Sequence, residues 1–156
     1  MNRMAGFFRN VSWLVYMGAL LWAYAYLTNE VAYRYNADGV TVNLIDKDTF
    51  FFVGLSAFIL INAVCMGFNV VLKKIKTTED GQGIRNRSLK LDVIGWVKGF
   101  AGVLNMFLSL IIIFLIYLNG SEEFRVGGLG FFVWIGPIML VGWFFYLVKL
   151  LSKKRN

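Results

Sequence analysis

Four apolar runs, at about residues 11–27, 49–72, 93–118 and 131–151, alternate with polar segments along this 156-residue chain. A helix needs roughly 20 apolar residues, within a range of about 17–25, to cross a bilayer core. The first run lies near the lower limit and the others exceed it. The pattern predicts an all-α membrane protein of four transmembrane helices, folded as one domain over residues 1–156. The polar segments then become outer loops at 28–48 and 119–130 and a cytoplasmic loop at 73–92.

The first outer loop carries a second periodicity. Val31-Ala32-Tyr33-Arg34-Tyr35 and Val40-Thr41-Val42-Asn43-Leu44 alternate and are rich in β-branched and aromatic residues, with Asn36-Ala37-Asp38-Gly39 between them. Glycine accepts the positive φ of a tight turn, and Asn and Asp bond to their own backbone there. A small outer β-hairpin is expected. An isolated two-stranded hairpin is marginal in water, so it must lean on helix ends or on a partner.

Charge supplies the orientation. Thirteen of the sixteen lysines and arginines flank the runs on one side: Arg3, Arg9, Lys73, Lys74, Lys76, Arg85, Arg87, Lys90, Lys98, Lys149, Lys153, Lys154 and Arg155. Only Arg34, Lys47 and Arg125 fall on the other. Cytoplasmic flanks retain positive residues, so both termini and the 73–92 loop are expected in the cytoplasm. Arg3 and Arg9, the first run and Ala23-Tyr24-Ala25 also imitate a cleaved signal peptide; the expectation here is a retained helix. The two halves share the order basic start, helix, acidic outer loop, helix, basic end, as parallel repeats do. Any four-span chain with both ends inside has that order, and no residue-level similarity joins the halves.

Composition agrees with a bilayer: 58% hydrophobic, 17% aromatic and 16% charged. The net charge of +7 sits in short segments beside apolar runs rather than on a polar surface, which argues against nucleic acid as a partner. There is no histidine, and the single cysteine, Cys65, lies within an apolar run. An internal disulfide is excluded, and no metal site is expected. No phosphate loop or nucleophile–base pair is present, so no catalytic residue and no cofactor is assigned. The basic segment Lys73–Lys90 has the character of an anionic-lipid contact, though positive-inside topology alone accounts for it.

Two polar stripes lie inside the apolar runs. Lys98, Gly102, Asn105 and Ser109 are spaced 4, 3 and 4 on the third run, and Asn62, Cys65 and Asn69 are spaced 3 and 4 on the second. Each spacing places its residues on one helical face. Amides in hydrocarbon must find protein partners, because lipid offers none. One reading is a polar path or ligand site made by Asn62, Asn69, Asn105 and Ser109, with Lys98 at its inner end. The plainer one is interhelical hydrogen bonding, worth about 0.6 kcal/mol per bond on average. Lys98 can snorkel to the cytoplasmic head groups. Gly95 and Gly99 form a G-x-x-x-G at the edge of a run. Pro137 beside Gly136 is expected to kink the fourth helix, and the aromatics near the run ends read mostly as interface belts.

Tyr33-Arg34-Tyr35-Asn36-Ala37-Asp38-Gly39, followed by Lys47 and Phe50-Phe51-Phe52, resembles a motif of small bacterial membrane proteins of the sporulation-delay immunity protein type. That motif reads approximately His-Phe/Tyr-Asn-x-x-Gly with a lysine before the second span. Tyr35, Asn36, Gly39 and Lys47 match it and are the candidate outer-loop contacts. Arg34 replaces the histidine, the preceding prolines are absent, and the likeness covers only about residues 20–70. It implies a multi-pass protein of a bacterial cytoplasmic (inner) membrane with an immunity, signalling or related role, and it carries over no catalytic residue.

The functional expectation is a non-enzymatic membrane protein that acts as an accessory or regulatory subunit of a larger membrane complex. Its partners would be the lipid bilayer and other membrane proteins, or further copies of itself. The alternative is a small transport or immunity-type protein with its polar site between the second and third spans.

Overall fold

The computed structural model describes residues 2–35, 41–75, 87–120 and 132–152. In chain order the described elements are α1 (Asn2–Tyr26), β1 (Glu30–Tyr35), β2 (Thr41–Asp46), α2 (Lys47–Lys74), α3 (Arg87–Gly120) and α4 (Phe132–Ser152). α3, the longest at 34 residues, is the central element. It packs most extensively along α1, then against α4 and α2.

α2, α3 and α4 each contain a stretch long and apolar enough to cross a membrane. α1 has the length, at 25 residues, but is not among these three. Arg9, Asn10 and Ser12 and three tyrosines dilute its hydropathy. What α1 lacks in apolarity it offsets by burial. Tyr16, Ala19, Leu20, Ala23 and Leu27 recur at helical spacing and pack with Val31 of β1 and with Ile112 and Ile116 of α3. The small side chains of that stripe let the two backbones approach.

A second cluster forms at the other end of the bundle, from Cys65 of α2 with Trp96, Val97 and Ala101 of α3, and Trp143, Tyr146 and Leu147 of α4. Trp96, one of the aromatics near the ends of the apolar runs, is buried in a stack with Phe100 at a centroid distance of 5.0 Å. Sequence proximity to a span end does not reveal which side of the helix faces a neighbour.

The β-hairpin forms, with strands that reach one residue further back and two further on than the alternation suggested. Glu30 pairs with Asp46, and the ladder runs antiparallel to Tyr35 and Thr41 with register shifts beyond Ala32. The turn Asn36-Ala37-Asp38-Gly39 lies outside the described residues. As required of so small a sheet, it leans on the helices. The Asn119 amide at the end of α3 accepts from Ala32 N (2.8 Å) and donates to Ala32 O (3.0 Å), so one side chain satisfies the strand edge as a third strand would.

Helix boundaries follow from capping. α2 starts at Lys47 rather than near Thr49, because Asp46 Oδ2 accepts from the backbone N–H groups of Asp48 (3.0 Å) and Thr49 (3.1 Å). Its far end is closed from a distance in sequence. Lys90 Nζ donates to the carbonyl oxygens of Lys73 (2.7 Å) and Ile75 (2.5 Å), placing a cation where the helix leaves unpaired acceptors. α3 starts at Arg87, six residues before the apolar run. α4 continues through Pro137 as one helix.

Candidate functional site

The two polar stripes meet. Asn62 of α2 and Asn105 of α3 exchange amide hydrogen bonds: Asn62 Nδ2 donates to Asn105 Oδ1 (3.0 Å) and Asn105 Nδ2 donates to Asn62 Oδ1 (3.2 Å). Around this pair, α1 supplies two residues that the pattern of polar positions on α2 and α3 did not point to. Trp13 Nε1 donates to Asn62 Oδ1 at 2.6 Å, and Asn105 Nδ2 also donates to Ser12 Oγ at 3.3 Å. Three helices are thereby joined at one buried point.

The remaining capacity is used within each helix. Asn62 Nδ2 reaches Phe58 O (2.8 Å), Ser109 Oγ donates to Asn105 O (2.8 Å), and Ser12 Oγ donates to Arg9 O (2.7 Å). Ser12, Asn105 and Ser109 are almost wholly buried and Asn62 nearly so. An unpaired amide in such a place costs about 1–3 kcal/mol, so full pairing is what makes the arrangement tenable. Aromatic rings wall it off: Phe58 stacks on Tyr16 at 5.0 Å and meets the edge of Trp13 at 6.0 Å. Tyr16 Oη donates to Gly54 O (2.7 Å), a close approach of α1 to α2 that a Cβ on Gly54 would obstruct at Leu20.

Asn69 and Lys98, the inner members of the two stripes, stand apart from this clasp. Asn69 Nδ2 donates back to Cys65 O (3.0 Å), while its Oδ1 is buried with no hydrogen-bond partner among the described residues. Lys98 is half-buried and near enough to Lys73 and Arg9 to feel both charges. Cys65 is a free, buried thiol.

Of the outer-loop candidates, Asn36 and Gly39 lie outside the described residues. Tyr35 closes β1. Lys47 opens α2, its backbone N–H donating to Asn29 O (2.9 Å) and its ammonium lying 5.0 Å from the Tyr24 ring centroid. Tyr24 Oη in turn donates to Asp48 Oδ1 (2.9 Å). Lys47 is therefore bound into the α1–α2 junction. Of the basic segment, residues 76–86 lie outside the described residues, and Lys90 caps α2.

That Ser12 lies on a packing face of α1 was legible in the sequence, though not which residues it meets. Ser12, Tyr16, Ala19, Ala23 and Leu27 form a stripe of small and polar residues on one face of α1, the mark of a helix that packs closely. Among the described residues no three His, Cys, Asp or Glu side chains gather as metal ligands would. No protein-family model, curated protein or solved structure matches the chain.

Proposed function

We propose that the chain is a four-span protein of a bacterial cytoplasmic membrane, with both termini in the cytoplasm, that works by association as an accessory or regulatory subunit of a larger membrane complex and catalyses no reaction. One observation carries the reading. The polar side chains at the middle of α2 and α3 close on each other and on α1, which makes them a fastener and leaves recognition to the outer surfaces. Those surfaces are apolar. On α2, Phe52, Ile59, Leu60, Phe68 and Val71 are all more than half exposed, as befits a helix whose solvent is lipid or another helix. The bias of thirteen cations to one side supports the orientation.

The test is purification of the tagged full chain in mild detergent or nanodiscs, with identification of co-purifying chains and the native mass of the assembly. Stoichiometric membrane-protein partners are expected. A lone monomer with measurable solute flux overturns the reading.

A second reading, a small transport or immunity-type protein with a polar site between α2 and α3, draws on the leftover Asn69 Oδ1. Under it, Asn69→Leu abolishes activity at normal expression and folding. Unchanged activity removes it.

A further inference from the structure

The outer hairpin has two edges, and only one of them is closed. On β1 the Asn119 amide takes both the N–H and the C=O of Ala32. Those groups therefore point away from β2, and Ala32–Leu44 is one of the ladder's non-hydrogen-bonded pairs. The bond from Lys47 N to Asn29 O (2.9 Å) gives the same alternation from the other end of the hairpin, with residues 29 and 47 bonded and Glu30–Asp46 not. Leu44 thus sends its own N–H and C=O outward along the free edge of β2, where no hydrogen bond to a described residue meets them.

The side chains agree with the backbone. Val31 and Ile45 turn toward the helices and join the cluster around Tyr16 and Leu20, while Leu44 and Val42 stay 52% and 54% exposed. Exposed apolar residues on α2 or α4 meet lipid under the membrane reading, but these two lie in the outer segment, beyond the hydrocarbon. An open strand edge beside apolar side chains is a template for another strand. The edge carries neither proline nor lysine, and the irregularity at Val42, which the register skips between Asn43 and Thr41, confines regular pairing to the stretch around Leu44.

Geometry and charge select the occupant. Copies inserted in one membrane with one orientation carry their hairpins at the same height, so a second β2 arrives already aligned in depth. The edge is also self-complementary. Antiparallel pairing about a two-fold axis at Leu44 lets the two Leu44 residues exchange N–H···O=C bonds and sets Val42 and Leu44 of each copy side by side. Asp46 is the only charged residue of β2. In this register it lies opposite Val42 of the second copy, and its own counterpart is about 14 Å away along the strand, beyond the roughly 8 Å reach of unscreened repulsion.

We propose that the free edge of β2 is a homodimer interface, through which two copies of the chain join their outer hairpins into one four-stranded antiparallel sheet centred on Leu44. The proposal rests on the membrane reading above and deepens the reading by association, since a larger complex then takes up the chain in pairs.

The test uses the purified full chain in vesicles of phosphatidylcholine and phosphatidylglycerol. Residues in a bonded antiparallel pair have Cα atoms about 5.5 Å apart, inside the roughly 4.4–6.8 Å span of a disulfide. Leu44→Cys is therefore expected to form an intermolecular disulfide on mild oxidation, about tenfold more than Val42→Cys, which is as exposed but about 14 Å from its counterpart in this register. The unaltered chain, whose single cysteine is buried, is the blank. Leu44→Pro deletes the outward N–H and none of the hairpin's own bonds. It is expected to lower the dimer fraction, counted by bleaching steps of labelled chain, by about tenfold, as the loss of both bonds at the axis implies. Cross-linking of Leu44→Cys no greater than that of Val42→Cys, or a dimer fraction unchanged by Leu44→Pro, overturns the proposal. So does a chain that stays monomeric alone and pairs one to one with a different protein, whose strand would then hold the edge. Flotation with the vesicles and resistance to alkaline extraction, measured first, separate the two ideas. A chain that does not insert removes the membrane reading along with the dimer, and one that inserts without cross-linking removes the dimer alone.

Discussion

Trp96 and Trp143 are joined in both directions: each indole N–H donates to the other residue's backbone carbonyl, at 3.0 Å from Trp96 and 3.3 Å from Trp143. The pairing fixes α4 against α3, and it depends on Gly99. A Cβ at that position would overlap the Trp143 ring.

Gly99→Ala is accordingly expected to destabilise the protein by about 1–3 kcal/mol, as overpacking does in tight cores. Trp143→Leu removes the ring that collides and one of the two indole bonds, while the Trp96 N–H keeps the backbone carbonyl of residue 143. The double variant should therefore be less destabilised than the sum of the singles, read by thermal unfolding in detergent. Strict additivity would show that Gly99 and Trp143 do not meet.

Asn62 and Asn105 are predicted to be energetically coupled. Either residue changed to Leu leaves the other amide with a missing partner, and a double-mutant cycle should return about 0.6–1.7 kcal/mol, the range found between transmembrane helices. Ser12→Ala is expected to cost less than Asn105→Leu, because Asn105 keeps its bonds with Asn62. A coupling of zero would place the two amides apart.

Asn69 should behave in the opposite way. Its Oδ1 is buried without a partner among the described residues, so replacing the amide by Leu relieves a penalty of about 1–3 kcal/mol that Asn62 does not bear. Unfolding of Asn69→Leu is expected at a temperature equal to or above that of the unaltered chain. A marked loss of stability would reveal an unrecognised donor at that oxygen.

Asn119 is predicted to anchor the β1 edge of the hairpin, in addition to the packing of Val31. Asn119→Asp keeps the acceptor for Ala32 N but loses the donor to Ala32 O and to Leu115 O. Limited proteolysis within residues 30–46 should speed up in this variant, and further in Asn119→Ala, with cleavage elsewhere unchanged. Equal protection in all three chains would mean that the hairpin is held by other contacts.

Periodicity alone carried much of the architecture. The apolar runs foretold α2, α3 and α4 because a helix that cannot rely on water must be apolar along its whole length, and the alternation at residues 31–35 and 40–44 foretold the two strands. The stripes of Asn62 and Asn69 and of Asn105 and Ser109 were equally legible, since i, i+3 and i, i+4 spacing sets the face a residue occupies. Which faces meet is a different matter. Helix spacing contains no information on rotation about the axis relative to a neighbour, and packing against other helices decides it. Only the tertiary structure could bring Ser12 and Trp13 of α1 to the asparagine pair, leave Asn69 outside it, turn Trp96 inward and set Asn119 beside Ala32. Those contacts join residues up to 93 positions apart, and a sequence states such a contact only through the shapes that fill the space between.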